Sequence, residues 1–301
     1  MIHGIINIHK EKGYTSHDVV AKLRGIVGQK KIGHTGTLDP DATGVLPVCF
    51  GKGTKLCDML TDKNKTYETV LLLGTTTDTQ DISGTVLAEA AWEHLESEEV
   101  RACIRSFVGA YEQVPPMYSA LKVNGKKLYE LAREGIEIER KARPVEIFEM
   151  EVLSMKLPRV RMRVTCSKGT YIRTLCHDIG QKLGCGACME ELIRTRVSSF
   201  ALEDSLTLSE VEEKKKRGEL SDIVIPIDRM FEMYETVSLQ PEYEFLVYNG
   251  NPFPTKYLSK EVSLTDGMKV RVYDGAGQFL AIYQYIEENH IFKIEKMFFE
   301  R

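Results

Sequence analysis

VRMRVTC, residues 160 to 166, alternates apolar and polar side chains without a break, and that period of two restricts the segment to an extended strand. Val160, Met162, Val164 and Cys166 then point inward, and Arg161 and Arg163 point outward. The strand stops at SKGT. Thr170 is placed to cap the next helix, whose apolar stripe is Ile172, Leu175, Cys176, Ile179 and Leu183 and which ends at Gly184.

The charge around this strand is lopsided. Residues 155 to 175 carry six Lys or Arg and no acid, while residues 84 to 100 carry five Glu and no Lys or Arg. The whole chain has 44 acidic and 40 basic residues, so the total does not announce a nucleic-acid partner, but a locally basic face is one way to hold phosphates. With 301 residues and 43% apolar content the chain can bury a sizeable core. The N-terminal MIHGIINIHKEKG is too short in its apolar run for a signal peptide, and no stretch approaches the roughly 20 apolar residues that span a bilayer. The chain reads as cytoplasmic, and its seven cysteines as reduced thiols rather than a disulfide framework. Cys185 and Cys188 form a CxxC, but with no second pair or suitably spaced histidine nearby they read as residues packing a turn, not as a zinc site.

Along the chain, GIINI (4 to 8) reads as a strand and SHDVVAKLRGIVG (16 to 28) as a helix with Ser16 as its cap. YETVLLLGTTTDTQDISG (67 to 84) is a strand ending in an acidic turn, and SEEVRACIRSFVG (97 to 109) is a helix with a capping serine. Two prolines and the basic KVNGKK give residues 113 to 135 the character of a protruding element. After the charge run EEKKKRGE, the last stretch turns into short β-rich runs separated by NGNP, TDG and DGAG, which sets a boundary near residue 230 and predicts a small β-domain with one helix.

GHTGTLDPDATGVLP, residues 33 to 47, is where chemistry is expected. DPDAT satisfies an aspartate-nucleophile phosphatase pattern, but the hydrophobic strand that should precede it is missing. FGKGTK fails the phosphate-loop pattern at Leu46 and Gly53. Pro40 separates Asp39 from Asp41, and too few ligands lie near them and His34 for a closed metal site. What remains is one carboxylate, Asp39, in a rigid setting. Pro40 pushes it toward an extended conformation, and Gly33, Gly36 and Gly44 permit a tight backbone. Such a setting aims a nucleophile or base, or makes Asp39 the cap of a turn.

Five runs in order, GHTGTLDPDATGVLP, KTYETVLLLGTTTDTQDISG, PPMYSALKVNGKKLYELAREG, SKGTYIRTLCHDIGQKLGCGA and LIRTRV, resemble the TruB family of bacterial tRNA pseudouridine-55 synthases. NGNPF and VRVYDGAGQFLAIY look like a PUA domain. The resemblance implies an α+β pseudouridine synthase fold: a mixed, mainly antiparallel central sheet flanked by helices over residues 1–230, with an RNA-binding thumb at about 113–143, and a PUA-like β-barrel over 231–301. It implies that Asp39 is the essential carboxylate, whether it attacks the ribose, adds to the base or removes the 2′ proton, and that Arg173 pairs with it, favours its charged form and lowers its pKa. A bidentate fork is expected there. Tyr67 matches the tyrosine that stacks on the target base, and Tyr171 and Leu192 match pocket walls; core packing is the alternative for all three. His34 matches the histidine that fills the space left by a flipped base. Lys10 matches a pocket lysine, although His9 and Glu11 depart from the usual acid-Lys-Pro-x-Gly setting. Asp81 is assigned a supporting hydrogen bond or a turn. Lys122, Lys126 and Lys127 of the thumb are available to phosphates, or form a solvated loop.

The implied activity is isomerisation of one T-loop uridine of tRNA, taken out of its stack by base flipping, by a monomer that needs no cofactor or metal. The competing reading is an RNA-binding or tRNA-folding module with secondary or no catalysis. A pure binder has no reason to keep Asp39, Arg173 and Tyr67 together. The phosphatase reading of DPDAT predicts magnesium dependence and phosphate release.

Overall fold

The computed structural model describes residues 1–123 and 125–300. The chain begins with β1 (Gly4–Lys10), α1 (Ser16–Val27), β2 (Ile32–His34), β3 (Thr43–Phe50), α2 (Cys57–Thr61) and β4 (Lys65–Leu73). A hairpin of β5 (Thr75–Thr77) and β6 (Val86–Glu89) leads to α3 (Ser97–Arg105) and β7 (Gly109–Gln113). Then come β8 (Lys122–Val123), β9 (Lys126–Lys127), α4 (Leu128–Arg133), β10 (Arg143–Lys156), β11 (Arg159–Cys166), α5 (Ile172–Leu183), β12 (Ala187–Val197), β13 (Phe200–Ala201) and α6 (Leu208–Lys216). The C-terminal part holds β14 (Glu235–Ser238), α7 (Glu244–Tyr248), β15 (Phe253–Pro254), β16 (Lys269–Tyr273), β17 (Phe279–Ile286) and β18 (Ile291–Met297).

Among the described residues nine strands form the central sheet, in the order β1-β3-β12-β4-β11-β10-β7, with β2 on β3 and β13 on β12. Its pairings are antiparallel except for β12 beside β3, where Ile193 faces Thr43 and Arg194 faces Gly44. This makes the sheet mixed and mainly antiparallel, as expected. The alternation of β11 holds: Val160, Met162, Val164 and Cys166 are fully buried against Ile172, Leu175, Cys176 and Ile179 of α5. Cys185 closes the same core, and Cys188 is buried beside it on β12.

The opposite face corrects the expectation of an open basic surface. Arg159 pairs with Glu190 and Arg161 with Glu191, each at 2.8 Å, and Arg163 bridges Glu68 and Glu151 at 2.8 and 2.9 Å. The carboxylates come from β4, β10 and β12, so a count along the sequence does not see them. Such exposed pairs contribute little stability each, but they leave few free charges for phosphates.

Three helix starts also differ from expectation. Thr15 caps α1, in a reciprocal box with Asp18, and Ser16 lies one residue inside. Glu96, not Ser97, occupies the cap position of α3. Thr170 donates to the carbonyl of Ser167 at 3.0 Å and closes the turn, leaving Tyr171 at the cap position of α5.

The C-terminal strands form a curled half-barrel sheet in the order β14-β16-β17-β18-β15, a PUA-like arrangement. Its core includes Val247, Phe253, Val270, Leu280, Tyr283 and Phe292. A second cluster joins it to the back of the central sheet, where Ile5, Val45 and Cys49 pack with Phe231, Ile282 and Phe298. Glu300 meets Lys31 at 2.8 Å and Lys55 at 3.1 Å across that junction, and both ammonium groups hold its carboxyl down at about 2. No helix among the described residues is long and apolar enough to cross a membrane.

Candidate active site

The loop between β2 and β3 presents Asp39, and other elements grip it through its backbone. Ser16 Oγ accepts from the amide of Leu38 at 2.9 Å, and the carbonyl of Pro40 accepts from the Gly13 amide at 2.9 Å and from Lys10 Nζ at 3.1 Å. On the other side Arg194 donates to the carbonyls of Gly36 and Thr37 at 3.2 and 3.5 Å. The glycines divide into two kinds. Gly36 and Gly44 adopt positive φ, 140° and 106°, whereas Gly33 is an ordinary strand residue where a Cβ would stand 3.0 Å from Cys57 Sγ. At Gly44 a side chain is excluded twice, since a Cβ would fall 2.2 Å from the Arg194 carbonyl oxygen.

Asp39 Oδ2 lies 3.0 Å from Arg173 Nε. The expected bidentate fork is absent. Arg173 Nη1 donates to the Thr79 carbonyl at 2.9 Å and Nη2 to the Tyr118 carbonyl at 2.8 Å, and Asp81 Oδ2 stands 3.6 Å from Nη1. One guanidinium thus ties the Asp39 loop, the turn after β5 and the segment at Tyr118 together, with only 6% of its side chain exposed. Asp81 both supports Arg173 and forms its turn, as Oδ1 accepts from Thr79 Oγ1 at 2.7 Å and from the Ser83 amide at 3.0 Å.

Burial pushes the Asp39 carboxyl above its ordinary range and Asp81 adds to the rise, while Arg173 and Lys10 pull it back. The expected lowering is therefore present as a contribution and outweighed by desolvation. The side chain nonetheless stays 42% exposed.

Tyr67 is the cross-strand neighbour of Arg194 and Val164, is 8% exposed, and has its phenol pushed up to about 12 by burial. It shares a cluster with Leu38, Ala42 and Leu192. Tyr171 is half-buried, and the Gln113 side chain grips its backbone, accepting from its amide at 2.8 Å and donating to its carbonyl at 3.0 Å. His34 is half-buried at the mouth of the loop, its Nδ1 accepting from the Gly36 amide at 3.3 Å and its ring edge-on to His17 at 5.7 Å. Burial, with His17 and Arg194, lowers its pKa and keeps the ring neutral at pH 7.

Lys10 is turned toward backbone carbonyls. It is fully buried and donates to the carbonyls of Glu11, Tyr14 and Pro40, and burial lowers its pKa to about 8. The thumb is more than a basic loop, because Met117, Leu128 and Leu131 form a small core of its own. Lys122 and Lys126 are exposed on it, whereas Lys127 lies over the ring of Tyr129, 3.2 Å from its hydroxyl. Asn124 of the KVNGKK run lies outside the described residues.

Asp39 and Arg173 lie together as the resemblance implies, Asp81 joins them through Arg173, and three supports had no place in the expectation: Ser16 as a loop clamp, Gln113 and Arg194. For Arg194 a signal existed, since in ELIRTRV it shares strand parity with Leu192 and so belongs on the core face.

Residues 24–172 match the family model for the TruB family pseudouridylate synthase N-terminal domain, and residues 173–232 that for the tRNA pseudouridylate synthase B C-terminal domain. A protein of Lachnoclostridium phytofermentans named tRNA pseudouridine synthase B is 50% identical over 99% of this chain and 100% of its own. One of Clostridium tetani with the same name is 43% identical over 98% and 99%. Among solved structures, an H/ACA RNP bound to a substrate RNA containing 2′-deoxyuridine superposes with a TM-score of 0.73 at 25% identity, over 99% of this chain and 86% of that one. A Cbf5-Nop10-Gar1 complex gives a TM-score of 0.73 at 27% identity with the same coverage.

Proposed function

Because the chain belongs to the TruB family of pseudouridylate synthases and is an isomerase of tRNA uridine, we propose that its target is the T-loop uridine at position 55, reached in the T-arm by base flipping. The observation that carries this reading is a carboxylate held 3.0 Å from a buried arginine, on a loop whose Leu38 and Ala42 pack in one cluster with Tyr67 and Leu192.

The reaction breaks the N1–C1′ bond, turns the uracil and joins C5 to C1′. C5 loses its proton and N1 gains one, so nothing is consumed. Asp39 supplies an ionised carboxylate, the form from which attack on the ribose, addition to the base or removal of the 2′ proton must each begin. Arg173 opposes the desolvation that would protonate it. Tyr67 stacks on the flipped base, Tyr171 and Leu192 wall the pocket, and His34, neutral and aromatic, fills the place the base vacates. Lys10 and Asp81 support these groups from behind. Lys122, Lys126 and Lys127 meet phosphates of the T-arm.

The catalytic part spans 1–230, with its thumb at about 113–143, and the PUA-like part spans 231–301. Since one chain supplies every proposed group, the enzyme acts as a monomer, in the cytoplasm where tRNA is modified, and uracil as an anionic leaving group removes the need for a metal. Release of tritium from carbon 5 of uridine in tRNA, in the presence of a chelator, tests the reading. One equivalent per tRNA from position 55 is expected. A dependence on divalent metal, or tight T-arm binding without release, would overturn it.

A further inference from the structure

Arg194 is the largest wholly buried side chain among the described residues, 1% exposed. A cation in that position ordinarily has a carboxylate beside it. Here its hydrogen bonds among the described residues go to backbone carbonyls, Nε to Val45 at 2.8 Å, Nη2 to Gly36 at 3.2 Å and Nη1 to Thr37 at 3.5 Å, and its cross-strand neighbour is a phenol, Tyr67. We propose that Arg194 is a positioning residue for catalysis, which sets the catalytic loop against Tyr67 and so fixes the distance between the Asp39 carboxylate and the ring beneath the substrate base.

Three observations lead there. Gly36 and Thr37 lie three and two residues before Asp39, and Val45 lies in the strand that leaves the loop, so one planar group spans entry and exit. Tyr67 is the direct cross-strand neighbour of Arg194, which places the phenol and guanidinium on one face of the sheet. The backbones are fitted as closely as the side chains, because Gly44 approaches the Arg194 carbonyl too closely for any Cβ. A methionine of similar length would fill the space and leave these carbonyls without a donor; a lysine would satisfy one or two of them.

The proposal rests on the uridine isomerase reading, and the wild-type enzyme separates the two. If wild type forms no pseudouridine in a T-arm stem-loop, that reading fails; the proposal is judged only against an active wild type. Arg194→Met, Arg194→Gln and Arg194→Lys are compared for thermal melting, T-arm affinity and single-turnover rate, with Tyr67→Phe as a partner in double-mutant cycles. A folded variant is expected to bind the T-arm within threefold of wild type and to lose about a hundredfold in rate, the scale of an ångström's misplacement. The loss should be smaller in Tyr67→Phe than in the wild-type background, since one contact is then already gone. Folded Arg194→Met with a rate within threefold of wild type would overturn the proposal. So would additive losses with Tyr67→Phe, a loss confined to affinity, or failure of all three variants to fold, which would make Arg194 a determinant of the fold alone.

Discussion

Arg173 reaches Asp39 with Nε alone, at 3.0 Å, because its two terminal nitrogens are held by the carbonyls of Thr79 and Tyr118. The pairing is a matter of placement as much as charge. Three segments far apart in sequence must be in register before the guanidinium can present that one nitrogen to the carboxylate.

Arg173→Lys is therefore expected to be damaging although it keeps the charge. An ammonium cannot hold both carbonyls and the carboxylate, so single-turnover pseudouridine formation should fall on the order of a hundredfold. Affinity for the T-arm should change by only a few-fold. A rate within threefold of wild type would show that charge alone suffices.

Asp81→Asn separates support from electrostatics. Asp81 raises the Asp39 pKa, so neutralising it removes one upward push. Asp39 then stays ionised to lower pH, and the acid limb of the pH–rate profile should move toward acid. The plateau should drop by about tenfold as Arg173 loses a neighbour. Single-turnover rates from pH 5 to 8 check both, and an acid limb that moves upward contradicts the assignment.

Lys10 makes a stability prediction whose sign is fixed. Its pKa is lowered to about 8 in the folded protein from a model-peptide value of 10.5, so between these values the unfolded chain binds more protons and stability from this group rises with pH. Below pH 8 the full penalty for burying the charge is present, on the order of 3 kcal/mol. Melting of wild type and Lys10→Met from pH 7 to 10 should show the wild type gaining on the variant over that range. Parallel curves would mean that Lys10 is not the titrating group.

The thumb lysines should be unequal. Lys122 and Lys126 are exposed, so replacing both with alanine should weaken T-arm binding and reduce the slope of log affinity against log salt by about 2. Lys127 is occupied by Tyr129 and should change the slope less. Equal effects from all three would show that the Tyr129 contact does not weaken the hold of Lys127 on phosphate.

What could be read in advance follows the range of each signal. The alternation of β11 and the stripe of α5 are local, and Val160, Met162, Leu175 and Ile179 lie where the pattern puts them. Asp39, Arg173 and Asp81 came from ordered motifs rather than from any local rule, and their meeting depends on a turn after β5 that spacing cannot place. Pairings between distant strands were out of reach. Glu68, Glu151, Glu190 and Glu191 neutralise a face that looked basic, and the carbonyls that hold Arg194 come to it only through the pairing of β12 with β3. At helix starts Thr15 and Ser16 are equally good caps by residue type. The choice fell to Thr15 because Leu38, 22 residues on, engages the Ser16 hydroxyl.

The measurement closest to the central claim is incubation of wild type and Asp39→Asn with an unmodified T-arm stem-loop in chelator, with pseudouridine mapped by carbodiimide-dependent reverse-transcription stops. Asparagine keeps the size of the side chain and removes the charge, so the account predicts a stop at the T-loop uridine with wild type only and comparable RNA binding by both proteins. A stop of equal strength with Asp39→Asn, or binding by both with a stop from neither, would contradict it.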